Sequence, residues 1–401
     1  MSKLNKIFFG PAGTGKTREA TIEAVRIISE SEELKKSKAD IKNYENILKK
    51  LKDFSKTPKL NIDDSEIINK IQDSSLKDIS KIINNRRYEG DLKYLTENKI
   101  FNKVIVEEEI LKYKAIYNIY PLIETVTFHP SYSYQDFVEG ISVETNQDTN
   151  EIEYKVKDGI FKKICERASR NEKYNYVLII DEINRGDIAS IFGELFTLLE
   201  DNKRANGAEP LSINLPYSKD EKTGNPKTLT VPSNLYVLAT MNTVDKSIAL
   251  IDVALRRRFD FIECMPKYQK DLPELKPIKK GVDLSKLLET MNQRITILKN
   301  EHYQIGHSYF LDIKNINELR EVMIKKIIPL LQEYFYDDWK SICAVLHQSY
   351  QSPKNNGLLI KEEVNENLFE NEFDELFAYT NKTIFKINKE FSEEDIKKVY
   401  E

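Results

Sequence analysis

The sequence has few of the residues that build disulfide frameworks or metal cages: 401 residues hold 3 cysteines and 4 histidines. Cys165, Cys264 and Cys343 lie far apart, three thiols cannot all pair, and no Cys/His group has metal-ligand spacing. Reduced core cysteines of an intracellular protein are the expectation. Long apolar runs are missing too. No stretch approaches the roughly 20 apolar residues of a membrane span, and Met1–Phe9 lacks the apolar core of a signal peptide. A cytoplasmic protein without a membrane partner is expected. Finally, neither sign of charge dominates. Lys and Arg number 61 against 65 Asp and Glu, a net charge of −4 with the signs interleaved. That excludes a chain that grips nucleic acid by bulk electrostatics and leaves open a local basic strip or pore loop.

Two or three domains fit in this length. A short strand, Lys6-Ile-Phe-Phe9, runs into glycine, and a helical pattern follows over about 16–28. From about 29 to 120 the chain turns polar and charged, with Ile41, Tyr44, Ile47, Leu48 and Leu51, then Leu76, Ile79, Ile82 and Ile83, at helical spacing. It reads as a mostly helical insertion with Pro58 in a connecting loop, its function not legible. Strands are predicted at Ile123–Phe128, Tyr176–Ile180, Leu235–Thr240 and Phe259–Ile262. The second of these is an uninterrupted apolar run, as in a strand buried on both faces of a parallel sheet. Strands separated by helices imply an α/β layered domain over 1–266. After about Pro266 the strands are expected to stop, and 267–401 reads as a helical domain, with helices over Leu284–Leu298 and Leu319–Phe335.

Four groups of residues carry chemistry. Gly10-Pro11-Ala12-Gly13-Thr14-Gly15-Lys16-Thr17 fits G-x-x-x-x-G-K-[ST], between a strand and a helix. Glycines let the backbone N–H groups turn inward around phosphates, and the helix N-terminus adds partial positive charge. Lys16 would reach the terminal phosphates, and the Thr17 hydroxyl would ligate Mg2+. Asp181-Glu182 follows the buried strand directly. Two adjacent carboxylates there are costly without a cation or proton partner; Asp181 would hold the magnesium and Glu182 would polarise an attacking water. A water-activating carboxylate favours hydrolysis over transfer to a substrate hydroxyl. Asn242 follows the next strand, where an amide can orient that water and sense the γ-phosphate. Arg256-Arg257-Arg258 precede the last strand of the α/β domain. In an oligomeric NTPase an arginine here reaches the neighbour's γ-phosphate; Arg257 and Arg258 are the candidates, and the choice between them stays open. Asn184-Arg185 reads as a contact at a subunit boundary or to a neighbour's nucleotide.

The order of these motifs, followed by a helical domain, resembles an AAA+ motor, and more narrowly the McrB family, the GTP-hydrolysing motors of methylcytosine-directed restriction systems. The runs that carry the match are Val126–Gly140 (VTFHPSYSYQDFVEG), Ile179–Arg185 (IIDEINR) with Ile191–Leu195 (IFGEL), Met241-Asn-Thr-Val-Asp245-Lys246-Ser, the arginine cluster, Ile305–Phe310 (IGHSYF) and Ile328–Phe335 (IPLLQEYF). The resemblance implies an AAA+ α/β fold with a C-terminal helical lid. It also implies GTP, or ATP, with Mg2+; a homo-hexameric ring with nucleotides at subunit interfaces; an McrC-like endonuclease partner that stimulates hydrolysis; and translocation on DNA through that complex. A MoxR-type ATP-driven protein remodeller and a slowly hydrolysing assembly scaffold are the alternatives. The Met241–Asp245 and His129–Gly140 runs weigh against the first, and Glu182 against the second.

Two departures matter. The family signature Met-Asn-x-x-Asp-Arg ends here in Lys246, which keeps the charge and loses the bidentate fork. The glycine loop starts at residue 10, so target recognition is expected in another module. Asn242-Thr-Val-Asp245 has the N-x-x-D spacing of a guanine grip, but its place after the sensor strand makes Asp245 part of the catalytic signature; the GTP preference rests on the resemblance alone.

Overall fold

The computed structural model describes residues 4–31, 122–145, 151–244, 253–278, 281–336, 338–351, 357–362 and 384–401. The expected helical insertion, beyond its first residues, lies outside these, as do Asp245 and Lys246. Among the described residues the strands are β1 (Asn5–Gly10), β2 (Ile123–Thr127), β3 (Glu139–Thr145), β4 (Ile152–Asp158), β5 (Tyr176–Asp181), β6 (Ile213–Lys219), β7 (Pro226–Leu229), β8 (Leu235–Asn242), β9 (Asp260–Glu263), β10 (Leu359–Glu362) and β11 (Ile384–Ile387). Five of them form one sheet in the order β2-β5-β8-β1-β9. Its β2–β5 and β5–β8 pairs are parallel, in registers that include Thr127↔Asp181 and Ile180↔Ala239. Each strand expected in the first 266 residues is present, to within two residues at either end. The chain forms two compact units: Met1–Lys6 with Ala20–Ala239 and Val253–Asp260, and Ile7–Glu19 with Thr240–Asp252 and Phe261–Glu401.

In the first unit, Val177, Leu178 and Ile180 on β5 are fully buried, as the apolar run required. The helix Ile160–Arg170 lays Phe161, Ile164, Cys165 and Ala168 inward. Phe128, Phe137, Phe161 and Phe192 meet edge to face or tilted, with centroids 4.8–6.5 Å apart, geometry that adds to their burial. Phe128 and Phe137 of the Val126–Gly140 run are thus core. Two antiparallel hairpins, β3–β4 and β6–β7, leave this core. Glu139 fastens one to the other. It is fully buried and accepts hydrogen bonds from the Tyr217 and Ser218 amides (2.7 and 3.0 Å), the Ser218 hydroxyl and the Lys162 ammonium (2.8 Å). Burial pushes its carboxyl up; the bonds from Lys162, Ser218 and the two amides outweigh that and hold it below the usual carboxylate range.

Arg204 is the second buried polar tie. Its guanidinium, 0% exposed, donates to the carbonyls of Leu199, Pro232 and Leu235 and to Asn5 Oδ1. Asn5 in turn donates to the carbonyls of Leu199 and Arg258, at 2.8 and 2.9 Å.

The second unit has a helical core. Its helix Leu284–Leu298 is capped by Asp283, which accepts the Ser285 and Lys286 amides, an N-cap worth about 1 kcal/mol. The helical stretch expected over Leu319–Phe335 begins at Ile316 and passes through a π turn, Met323–Ile327, just before Pro329. Proline has no N–H to continue the α pattern, and the π turn absorbs the break. One expectation is corrected: strands do not stop after Pro266. β10 and β11 pair antiparallel, Leu359↔Ile387 through Glu362↔Ile384, with Leu359 and Phe385 buried in the helical core. Strands of four residues are too short to show a period against a polar background.

Candidate nucleotide site

The phosphate loop belongs to the second unit. β1 ends in Gly10, and the chain turns through Gly10, Gly13 and Gly15 at φ +152°, +76° and +80°, conformations that an L side chain resists. The helix Lys16–Ser29 begins at once, with the Glu19 amide on the Gly15 carbonyl. Thr14 Oγ1 donates to the Pro11 carbonyl at 3.0 Å. Lys16 is buried, its ammonium on the Gly10 and Pro11 carbonyls at 3.1 and 2.7 Å. Asn242 is brought to the same place, since the Thr243 amide that follows it donates to the Gly10 carbonyl at 3.2 Å.

A segment of the helical domain braces this loop. The Gly306 amide donates to the Ala12 carbonyl (3.1 Å) and the Ser308 amide to the Gly13 carbonyl (3.0 Å). A Cβ on Gly306 would stand 2.0 Å from the Gly13 carbonyl carbon, so only glycine allows the approach. The buried Asn292 holds the segment from behind: its amide donates to the Ile305 carbonyl at 3.0 Å and its oxygen accepts the Ile305 amide at 2.6 Å. The Ile305–Phe310 run, singled out in the sequence only for its resemblance, thus has a physical task. The glycine at 306, between Ile305 and His307, was the available signal.

The acidic pair belongs to the first unit. Asp181 closes β5, and its carbonyl accepts the Phe128 amide at 2.9 Å. Glu182 sits at φ 54°, ψ 46°, left-handed for a residue that is not glycine, and opens a 3-10 turn, Ile183–Arg185. Arg185 Nε lies 3.5 Å from Glu182 Oε2; Asn184 is buried and Arg185 exposed.

The three arginines, on the helix Val253–Arg258, are not equivalent. Arg256 and Arg257 are exposed. Arg258 pairs with Glu200 at 2.7 Å and lies over the Phe196 ring, 4.7 Å from its centroid. Among the described residues no three His, Cys, Asp or Glu side chains gather to hold a metal, and no helix is long and apolar enough to cross a membrane.

Sheet order, glycine loop and helical domain together define an AAA+ protein, and residues 115–259 match the model for the AAA domain, dynein-related subfamily. Residues 283–343 match the McrB alpha-helical lid domain. The chain is 37% identical over 234 residues to the type IV methyl-directed restriction enzyme EcoKMcrB subunit of Escherichia coli (strain K12), covering 54% of this chain and 48% of that one. It is 32% identical over 175 residues to the type II restriction enzyme BsuMI component YdiS of Bacillus subtilis (strain 168), covering 36% and 49%. It therefore spans about half the length of the curated relatives it matches. A solved structure from Cytophaga hutchinsonii aligns at 16% identity over 54% of this chain and 51% of its own, with a TM-score of 0.25, too loose a likeness to bear on function. The chain thus carries an AAA domain and an McrB-type helical lid, and is similar to the McrB family of AAA+ proteins.

Proposed function

We propose that this chain is the nucleoside triphosphate-hydrolysing motor of a restriction complex. The observation that carries the reading is the braced phosphate loop: positive-φ glycines that turn amides inward, a buried Lys16 and a helix N-terminus directly behind it. Gly10 to Thr17 would wrap the phosphates of GTP or ATP, with Lys16 at the terminal ones. Mg2+ would be carried in on phosphate oxygens, with Thr17 and Asp181 as its candidate protein ligands, because such sites use one or two protein ligands, not an all-protein cage. Glu182 would polarise the water, Asn242 orient it, and Asp245, outside the described residues, complete the signature. An arginine from a neighbouring copy would offset charge at the γ-phosphate. Such a finger must be exposed and uncommitted to its own subunit, which favours Arg257 over Arg258, held by Glu200 and Phe196.

GTP preference, a homo-hexameric ring, an McrC-like endonuclease partner and DNA translocation through that complex are supported by the McrB resemblance. The test is Glu182→Gln, assayed with Mg2+–GTP and Mg2+–ATP in the presence of the partner nuclease. Binding is expected to survive, with hydrolysis lowered about a hundredfold or more. Unchanged turnover removes the role given to Glu182, and equal turnover of the two nucleotides by the parent chain removes the GTP preference.

A further inference from the structure

His307 stands in the middle of the brace and is 5% exposed. Its Nδ1 accepts the backbone N–H of Lys267 at 3.0 Å. A ring nitrogen that accepts from an amide carries no proton, so the neutral ring must be protonated at Nε2. Burial, then the nearby positive charges of Lys267 and Arg18, hold the ring's pKa down to about 4 against the opposing Glu19. Near neutral pH the ring is uncharged, and its one N–H points from Nε2.

Nε2 lies 3.8 Å from the position a Cβ would take on Gly15 and, among the described residues, is the one atom beyond Gly15 and its chain neighbours within 4 Å of that position. Gly15 is the residue before Lys16, where the loop becomes helix. The donor is fixed from both sides along its own backbone, by the Gly306 and Ser308 bonds to the loop and by the Asn292 grip on Ile305. An apolar ring would fill the same volume. What the imidazole adds is a neutral, tautomer-locked donor beside the amides that face an anion.

We propose that His307 is a nucleotide-binding residue whose Nε2–H donates a hydrogen bond to a phosphate oxygen of the bound nucleoside di- or triphosphate. The proposal rests on the nucleotide reading of the glycine loop and deepens it: the phosphates are held by the loop on one side and by the helical domain on the other. A neutral donor strengthens binding without adding charge that an exiting diphosphate must leave behind.

The experiment uses the full chain and Mg2+ with GDP and, separately, ADP. Calorimetry on His307→Phe should show affinity about tenfold weaker, the worth of one hydrogen bond to a charged group. His307→Gln, whose amide reaches a similar distance and keeps an N–H, should stay within about threefold of the parent. Melting without nucleotide identifies any variant that has lost its fold. A second measurement needs no folded variant: in the [15N]histidine spectrum of the parent chain, with 4 histidines, the His307 Nε2–H resonance should shift when the diphosphate is added, and should stay fixed in Lys16→Ala. Binding by the parent with a silent Nε2–H, or a folded His307→Phe that binds like the parent, overturns the role of His307 and leaves the nucleotide site standing. No binding by the parent at all overturns both.

Discussion

The glycine loop, Gly10–Thr17, and the acidic turn, Asp181–Arg185, solve one geometric problem in opposite ways. Each leaves a buried strand sharply, through positive φ. The loop does so three times on glycine, and the turn does so once on Glu182. A left-handed L residue costs on the order of 1 kcal/mol or more, and glycine avoids that cost. At the three glycines the loop offers backbone amides, so a side chain is dispensable there, as it is not at Lys16 and Thr17. In the turn the group on offer is a carboxylate, and the left-handed φ is kept with it.

Three sets of variants can break or sharpen that contrast. The largest effect is expected in turnover. Arg257→Ala should leave melting within about 0.5 kcal/mol of the parent, as exposed sites do, yet lower partner-stimulated hydrolysis about a thousandfold. Arg258→Ala should instead cost about 1–2 kcal/mol of stability, because the Glu200 pair and the Phe196 contact go together. Reversed phenotypes would exchange the roles of the two arginines. Next comes the backbone side. Gly306→Ala puts a methyl group 2.0 Å from Gly13 and should cost about 2–3 kcal/mol in denaturant titrations, with nucleotide affinity falling in parallel. A variant as stable as the parent would mean that the loop does not depend on its brace. Smallest in stability, and most telling, is Glu182→Gly. It should abolish hydrolysis and raise stability by about 0.5–1 kcal/mol as the left-handed strain is relieved. A loss of stability would show that the Arg185 contact outweighs the strain.

The sheet was largely legible because its central strands, β1, β5 and β8, are covered on both faces, and a run such as Val177–Ile180 advertises that without any period. The glycine loop was legible because it constrains residue types directly. What escaped has a different physics. Ile141 and Val143 on β3, and Ile152, Tyr154 and Val156 on β4, alternate as a hairpin should, but they are 44–64% exposed apart from Tyr154 at 75%, so no core pattern surrounds them. The Glu139–Tyr217 and Arg204–Asn5 bonds join residues 78 and 199 positions apart, beyond any local window. The brace acts through amides and carbonyls, which every residue possesses. Only Gly306 marks it, and its reason is steric. The left-handed Glu182 leaves no trace at all, since a carboxylate after a strand reads the same at any φ.

Asn5 gives the molecule a timetable. Its side chain bonds to the carbonyl of Arg258, 253 residues downstream, and to Arg204 and Leu199 on the way. At a synthesis rate of roughly 5–20 residues per second, the Asn5 side chain waits about 13–50 s for that carbonyl to emerge from the ribosome. The first strand made is thus among the last to have its hydrogen bonds completed.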